Sequence, residues 1–88
     1  MIEMIVKIIE RAEDMGIGYG DRITKIIDLE NAHKQFNMDF ADWLAADDDN
    51  FAHDFIGIQN HINRKTGMCE DFFVPRFANA DLRHKAKA

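Results

Sequence analysis

Hydrophobic residues recur at helical spacing along most of the chain and predict four short helices. In residues 2–15 they follow the i, i+3, i+4, i+7 pattern of an amphipathic helix. A second helix is predicted from Arg22 to about Phe36, and a short third one through Trp43 and Leu44. The stripe of the second helix is predicted to contain Ile23, Ile26, Ile27, Leu29 and Phe36, and that of a fourth helix Phe51, Phe55, Ile58 and Ile62.

Turn-forming and capping residues separate these apolar runs. Three glycines within residues 16–20 predict the end of the first helix, because glycine adopts the left-handed conformations that a helix stop needs. Asp21 is the expected N-cap of the second helix, and Asn37 is its expected terminator. Asp39, followed by an acid three residues later, predicts a capping box at the start of the third helix.

The fourth helix is expected to begin within the acidic run at residues 47–50, which offers several candidate caps. We expect it to stop at Asn63, where a polar turn is closed by Gly67. Beyond it, residues 69–77 are rich in phenylalanine, and Pro75 disfavours helix, which predicts an extended arm or edge strand. That arm is expected to lie across the helices or across a second copy of the chain.

These elements define the expected fold class, which is all-α. We expect three to four short helices in a compact orthogonal bundle with a C-terminal extended arm. Eighty-eight residues are enough for one domain, placed at residues 1–78. Residues 79–88 are expected to form a basic, frayed tail.

Charge and cysteine content narrow the functional classes. Residues 1–62 hold 13 acidic and 5 basic residues, a net charge of −8, whereas residues 63–88 hold 3 acidic and 6 basic residues, a net charge of +3. The acidic body disfavours nucleic-acid binding. Cys69 is the one cysteine, so no intramolecular disulfide can form, and we expect a cytoplasmic protein without signal peptide or membrane span.

The fourth helix carries the clearest candidate site. At about 100° per residue, Asn50, Asp54, Gly57 and His61 fall within about 60° of one another and form a polar line beside the aromatic stripe. Gly57 is costly inside a helix, which suggests a close approach of another backbone or a ligand. The alternative is a helix crossing at Gly57 with polar residues at its boundary.

A metal site is the second candidate. Glu30 and His33 match the Glu-x-x-His unit of di-iron carboxylate proteins, and Asp54 with His61 could complete a ligand set. The required second Glu-x-x-His unit is missing from the sequence, so His33 is better explained as a histidine at the core edge. We expect neither metal nor other cofactor, since the glycines at residues 16–20 also lack the context of a phosphate loop.

The arm supplies the third candidate. Phe73, Arg76 and Phe77 could anchor an extended segment in the groove of a partner, or could cover the core of their own chain.

Three stretches of the chain resemble a family of short uncharacterised bacterial proteins associated with prophages and mobile elements. They are residues 50–58, 61–67 and 73–78, beginning Asn50-Phe51-Ala52-His53-Asp54, His61-Ile62-Asn63 and Phe73-Val74-Pro75. The family has no assigned activity, so the resemblance implies a small accessory protein and no catalytic residues.

Together these features predict a non-enzymatic protein-interaction module that self-associates as a homodimer. Methionine and phenylalanine, which number five and seven, are enriched at interfaces and also fill small cores. Two alternatives stay open. One is a metal-binding helical protein of di-iron or hydrolytic type. The other is an acidic DNA mimic that inhibits a nucleic-acid-binding protein, suggested by the six acids from Asp39 to Asp54.

Overall fold

The structure is a computed structural model that describes residues 2–18, 20–65 and 75–78. Its helices are α1 (Ile2–Asp14), α2 (Arg22–Phe36), α3 (Phe40–Leu44) and α4 (Asp48–Lys65). No strand occurs in these three ranges, so the all-α fold is confirmed. No helix in them is long and apolar enough to span a membrane.

Helix α1 buries one face and ends at a glycine, as predicted. Its buried residues are Ile5, Ile8, Ile9 and Ala12. Beyond its last turn, Gly16 adopts a φ of +76°. The amide of Gly16 donates to the carbonyl of Glu13, and the amide of Ile17 donates to that of Ala12. This pair of bonds is a Schellman motif, which satisfies carbonyls that the helix end leaves unpaired.

Helix α2 has the predicted caps. The Asp21 side chain accepts a hydrogen bond of 2.7 Å from the amide of Thr24, and this bond lowers the pKa of the Asp21 carboxyl. Asn37 ends the helix in the left-handed conformation, with φ 49° and ψ 55°.

The buried face of α2 differs from the predicted stripe. Leu29 and Phe36 are buried as expected, but Ile23 and Ile27 are 70% and 51% exposed. The helix instead buries Lys25, Asp28 and Ala32. One helix can bury only one face, and the face that carries Leu29, Ala32 and Phe36 is opposite to the one that carries Ile23 and Ile27.

Aspartates cap the N-termini of the two remaining helices, α3 and α4. Asp39 caps α3 by accepting from the amides of Ala41 and Asp42. In a full capping box, the side chain of Asp42 would accept a hydrogen bond from the Asp39 amide. That amide instead donates to the carbonyl of Phe77. Asp47 caps α4, which runs to Lys65, so the predicted stop at Asn63 is two residues too early.

The core lies between these helices and is largely aromatic at one end. The Trp43 ring stacks on Phe51, with centroids 5.0 Å apart, and Phe51 stacks on Phe55. The Arg11 guanidinium lies 4.4 Å from the centroid of Phe51. Arg11 also donates to the carbonyls of Leu44 and Ala46 and to the Asp48 carboxylate, so it ties α1 to the connection between α3 and α4.

Residues 75–78 return to the helical body of their own chain. Pro75 is fully buried, and Ala78 donates to the Pro75 carbonyl at 3.0 Å, which closes a turn. This described end of the predicted arm is therefore a turn rather than an extended strand, since the bond between residues 75 and 78 reverses the chain. The prediction for residues 69–74 lies outside the described residues.

Candidate functional site

The Arg76 guanidinium joins the turn at residues 75–78 to α4. Its Nη2 donates to the backbone carbonyl of Asn50 at 2.7 Å and to Oδ2 of Asp54 at 3.1 Å. The Asp54 side chain is only 2% exposed, whereas that of Arg76 is 40% exposed. Three of the predicted interaction residues thus meet at one point, and the guanidinium neutralises a buried carboxylate there.

A groove of about 730 Å³ opens beside this point. It lies between the turn at residues 75–78, helix α3 and the connection from α2. His33 forms part of its wall and packs on Phe40, with ring centroids 5.2 Å apart. Phe77, also predicted as an interaction residue, is half-buried in the same groove. The groove combines aromatic surface with both signs of charge.

The predicted polar line on α4 does not form one continuous surface. Asp54 is buried against Arg76, whereas His61 faces α2. His61 Nε2 lies 3.1 Å from Nε2 of Gln35, and its ring packs on Phe36 at 5.4 Å. Gly57, between them, is half-buried.

The candidate metal ligands are divided between α2 and α4. Glu30 and His33 lie on α2, and Asp54 and His61 on α4. Within residues 2–18, 20–65 and 75–78, no group of three or more His, Cys, Asp or Glu side chains is placed to hold a metal ion. Phe73, the remaining predicted interaction residue, lies outside the described residues.

Most acids of the run from Asp39 to Asp54 have structural partners. Asp39 and Asp47 cap helices. Asp48 forms an ion pair of 2.9 Å with Arg11, and Asp54 forms one with Arg76. Helix starts and tertiary ion pairs therefore explain much of the acidic composition of this segment.

Helix α2 has an apolar outer face that the sequence pattern did not predict. We define this outer face by Ile23, Ile27, Glu30 and Lys34, which follow one another at spacings of 4, 3 and 4 residues and therefore lie along one side of the helix. Both isoleucines are more than half exposed. The sequence marks two competing sides of α2, because Leu29, Ala32 and Phe36 share one side while Ile23 and Ile27 share the opposite one.

The buried side of α2 contains two charged residues. Lys25 is 4% exposed and lies 3.5 Å from the Glu13 carboxylate. Asp28 is 7% exposed, and its Oδ2 has no hydrogen-bond partner in the described part of the chain. Burial therefore raises the pKa of the Asp28 carboxyl.

The chain belongs to a family of unknown function (DUF6874), which it matches over residues 2–79. No curated protein and no solved structure matches it. This match confirms the prediction that the chain belongs to an uncharacterised family. The matched span includes helices α1 to α4 and the turn at residues 75–78.

Proposed function

We propose that the protein is a non-enzymatic interaction module that forms a homodimer through the outer face of α2. One observation carries the proposal, namely that α2 exposes Ile23 and Ile27 to 70% and 51% while it buries Lys25 and Asp28. Burying an isoleucine fully is worth about 1.5–3 kcal/mol. A partner that covers this face therefore recovers hydrophobic free energy that the isolated chain does not gain.

The charges around the two isoleucines favour a second copy as that partner. Glu30 and Lys34 lie along the same outer face, and Arg22 at the start of α2 lies 3.4 Å from the Glu10 carboxylate. A two-fold interface pairs a surface with itself, so charged groups in it meet opposite charges only if each copy carries both signs. A strongly acidic or strongly basic partner would be matched by a face with one sign of charge.

The apolar part of this face is small, so we expect the dimer to be weak. Stable interfaces bury about 800 Å² per partner, more than two isoleucines provide. We therefore expect a concentration-dependent dimer rather than an obligate one. A role as an accessory protein of bacterial prophages or mobile elements is part of this proposal and rests on the sequence resemblance alone.

Sedimentation equilibrium of the full chain tests the dimer. The double variant Ile23→Lys with Ile27→Lys places two charges on the outer face without touching the core, since both side chains are more than half exposed. Ile2→Lys is the matched control, because Ile2 is 59% exposed on another helix. The proposal predicts a dimer for the wild type and Ile2→Lys and a monomer for the double variant. A monomeric wild type, or a double variant that dimerises equally well, would contradict it.

A further inference from the structure

The groove between α2, α3 and the turn at residues 75–78 has fixed walls. Its volume of about 730 Å³ falls within the range of about 300–1,000 Å³ that is typical of ligand sites. The Asp39 amide donates to the Phe77 carbonyl at 2.8 Å, and Arg76 donates to two groups of α4. The turn is thereby held from both sides, so a ligand would not have to order it on binding.

The groove contains more negative than positive charge. Apart from His33, its titratable lining residues are Asp39, Asp42 and Arg76. The positive charge of Arg76 is already balanced by Asp54, at 3.1 Å. Asp42 lies in the first turn of α3 and is exposed, and within the described residues its side chain forms no hydrogen bond or ion pair. The groove therefore favours a cationic ligand over an anionic one.

Aromatic rings give the groove a surface on which a flat cation can stack. His33 and Phe77 both line it and are half-buried, and the His33 ring packs on that of Phe40 at 5.2 Å. The guanidinium of Arg76 already lies 6.0 Å from the centroid of Phe77. A guanidinium is planar and weakly hydrated, so it can stack on a ring while its forked donors bind a carboxylate. Arginine therefore fits this combination better than lysine does.

We propose that this groove binds an arginine side chain from a basic segment of a partner protein. The guanidinium forms an ion pair with the Asp42 carboxylate, and its flat face packs against the aromatic side chains of the groove. The net charge of −8 over residues 1–62 attracts a basic partner from a distance. The groove shares no residue with the outer face of α2. The proposed dimer and this site can therefore fail independently of each other.

NMR titration of the isotope-labelled full chain with the blocked tripeptide acetyl-Ala-Arg-Ala-amide tests the proposal. We expect saturable shifts at the backbone amides of Ala41 and Asp42 and at the ring protons of His33. Citrulline in place of arginine keeps the shape of the side chain but removes its charge, and should weaken binding at least about fivefold. Lysine keeps the charge but lacks the planar group, and should bind about two- to threefold more weakly than arginine.

Asp42→Asn separates this site from the general attraction of an acidic protein. It should weaken binding of the arginine peptide about two- to fivefold, the factor that one solvent-exposed ion pair contributes. Asp49→Asn is the matched control, because Asp49 is also an exposed acid in the first turn of a helix but does not line the groove. This control should bind the peptide as tightly as the wild type does.

Phe77→Leu tests the aromatic part of the site. Because it removes one ring, it should bring the affinities for the arginine and lysine peptides closer together. Asp42→Asn remains informative even if Phe77→Leu does not fold, since Asp42 is exposed.

Three results of the titrations would overturn the proposal. The first is the absence of saturable shifts at Ala41 and Asp42 up to the solubility limit of the arginine peptide. The second is equal affinity for the arginine and citrulline peptides. The third is equal affinity of Asp42→Asn and Asp49→Asn for the arginine peptide.

Two further results, both obtained without peptide, would assign the groove to another occupant and would also overturn the proposal. Shifts of the Ala41 and Asp42 amides on dilution of the double variant Ile23→Lys with Ile27→Lys would assign it to a second copy of the chain. Shifts of the same amides in Arg83→Gln would assign it to the basic C-terminal residues of the chain itself.

Discussion

Arg76 places its guanidinium 3.1 Å from a carboxylate oxygen of Asp54, and this ion pair fastens the turn at residues 75–78 to α4. Asp54 is 1% exposed, so its charge is balanced by a residue 22 positions further along the chain. The same guanidinium donates to the carbonyl of Asn50 one turn earlier. Arg76 therefore holds the turn on α4 by contacts with two residues of that helix.

Removing Arg76 should destabilise the fold because the ion pair with the buried Asp54 carboxylate is lost. We expect Arg76→Leu to lower the free energy of unfolding by about 1–3 kcal/mol, less than for a fully buried pair because Arg76 is partly in water. Urea denaturation followed by circular dichroism measures the change. Arg22→Leu is the control, since its pair with Glu10 is exposed and should contribute at most about 1 kcal/mol. Equal effects of the two variants would show that the Asp54 contact does not stabilise the turn.

Asp28 should make stability fall as the pH rises above the ordinary range of an aspartate. Burial raises the pKa of this carboxyl in the folded state above its ordinary value. The folded protein therefore binds the proton more tightly than the unfolded chain does. The stabilisation from this tighter proton binding is fully present below the pKa that Asp28 has in the unfolded chain. It is lost as the pH rises through the pKa that Asp28 has in the folded protein.

Asp28→Asn should remove this dependence. At pH 7 we expect the variant to be more stable than the wild type by about 1 kcal/mol, because it no longer buries an unpaired charge. At pH 3 the two proteins should have the same stability within error. Urea denaturation of both proteins at the two pH values measures the difference. A variant that is less stable at pH 7 would show that the charged carboxylate contributes favourably.

Arg11 should be more sensitive to substitution than its position on an amphipathic helix indicates. It donates to two carbonyls and one carboxylate and packs over the Phe51 ring. Lysine keeps the charge but lacks the planar group that makes these contacts together. We expect Arg11→Lys to lower the free energy of unfolding by about 1–2 kcal/mol. Lys7→Arg, which alters an exposed side chain of the same helix, should change it by less than about 0.5 kcal/mol.

Local pattern predicted much of the fold. The caps at Asp21 and Asp39, the left-handed terminator Asn37 and the stop at Gly16 all act within one helical turn, so the sequence contains the information for them. The end of α4 was predicted two residues early, because Arg64 and Lys65 were assigned to a turn although polar residues can also extend a helix. The other boundaries follow from capping and glycine residues within the same turn, and for that reason they were predictable.

The exposed and buried sides of α2 were harder to predict. Isoleucine at positions 23 and 27 competes with Leu29 and Phe36 for the core, and only packing against α1 and α4 decides the outcome. The contact of Arg76 with Asp54 depends on where the chain returns to α4, which no local periodicity encodes. Tertiary packing therefore determines which residues form the candidate surfaces. The sequence predicted the segments in which these residues lie, but not the contacts that they make.

An isotope-filtered NOE experiment on a mixture of labelled and unlabelled chains tests most directly the claim that the outer face of α2 pairs two copies. We expect NOEs between chains from the methyl groups of Ile23 and Ile27, and none from Ile2 or Ile56. A dimer whose NOEs between chains come only from Ile2 or Ile56 would contradict it, as would their complete absence at concentrations where sedimentation shows a dimer.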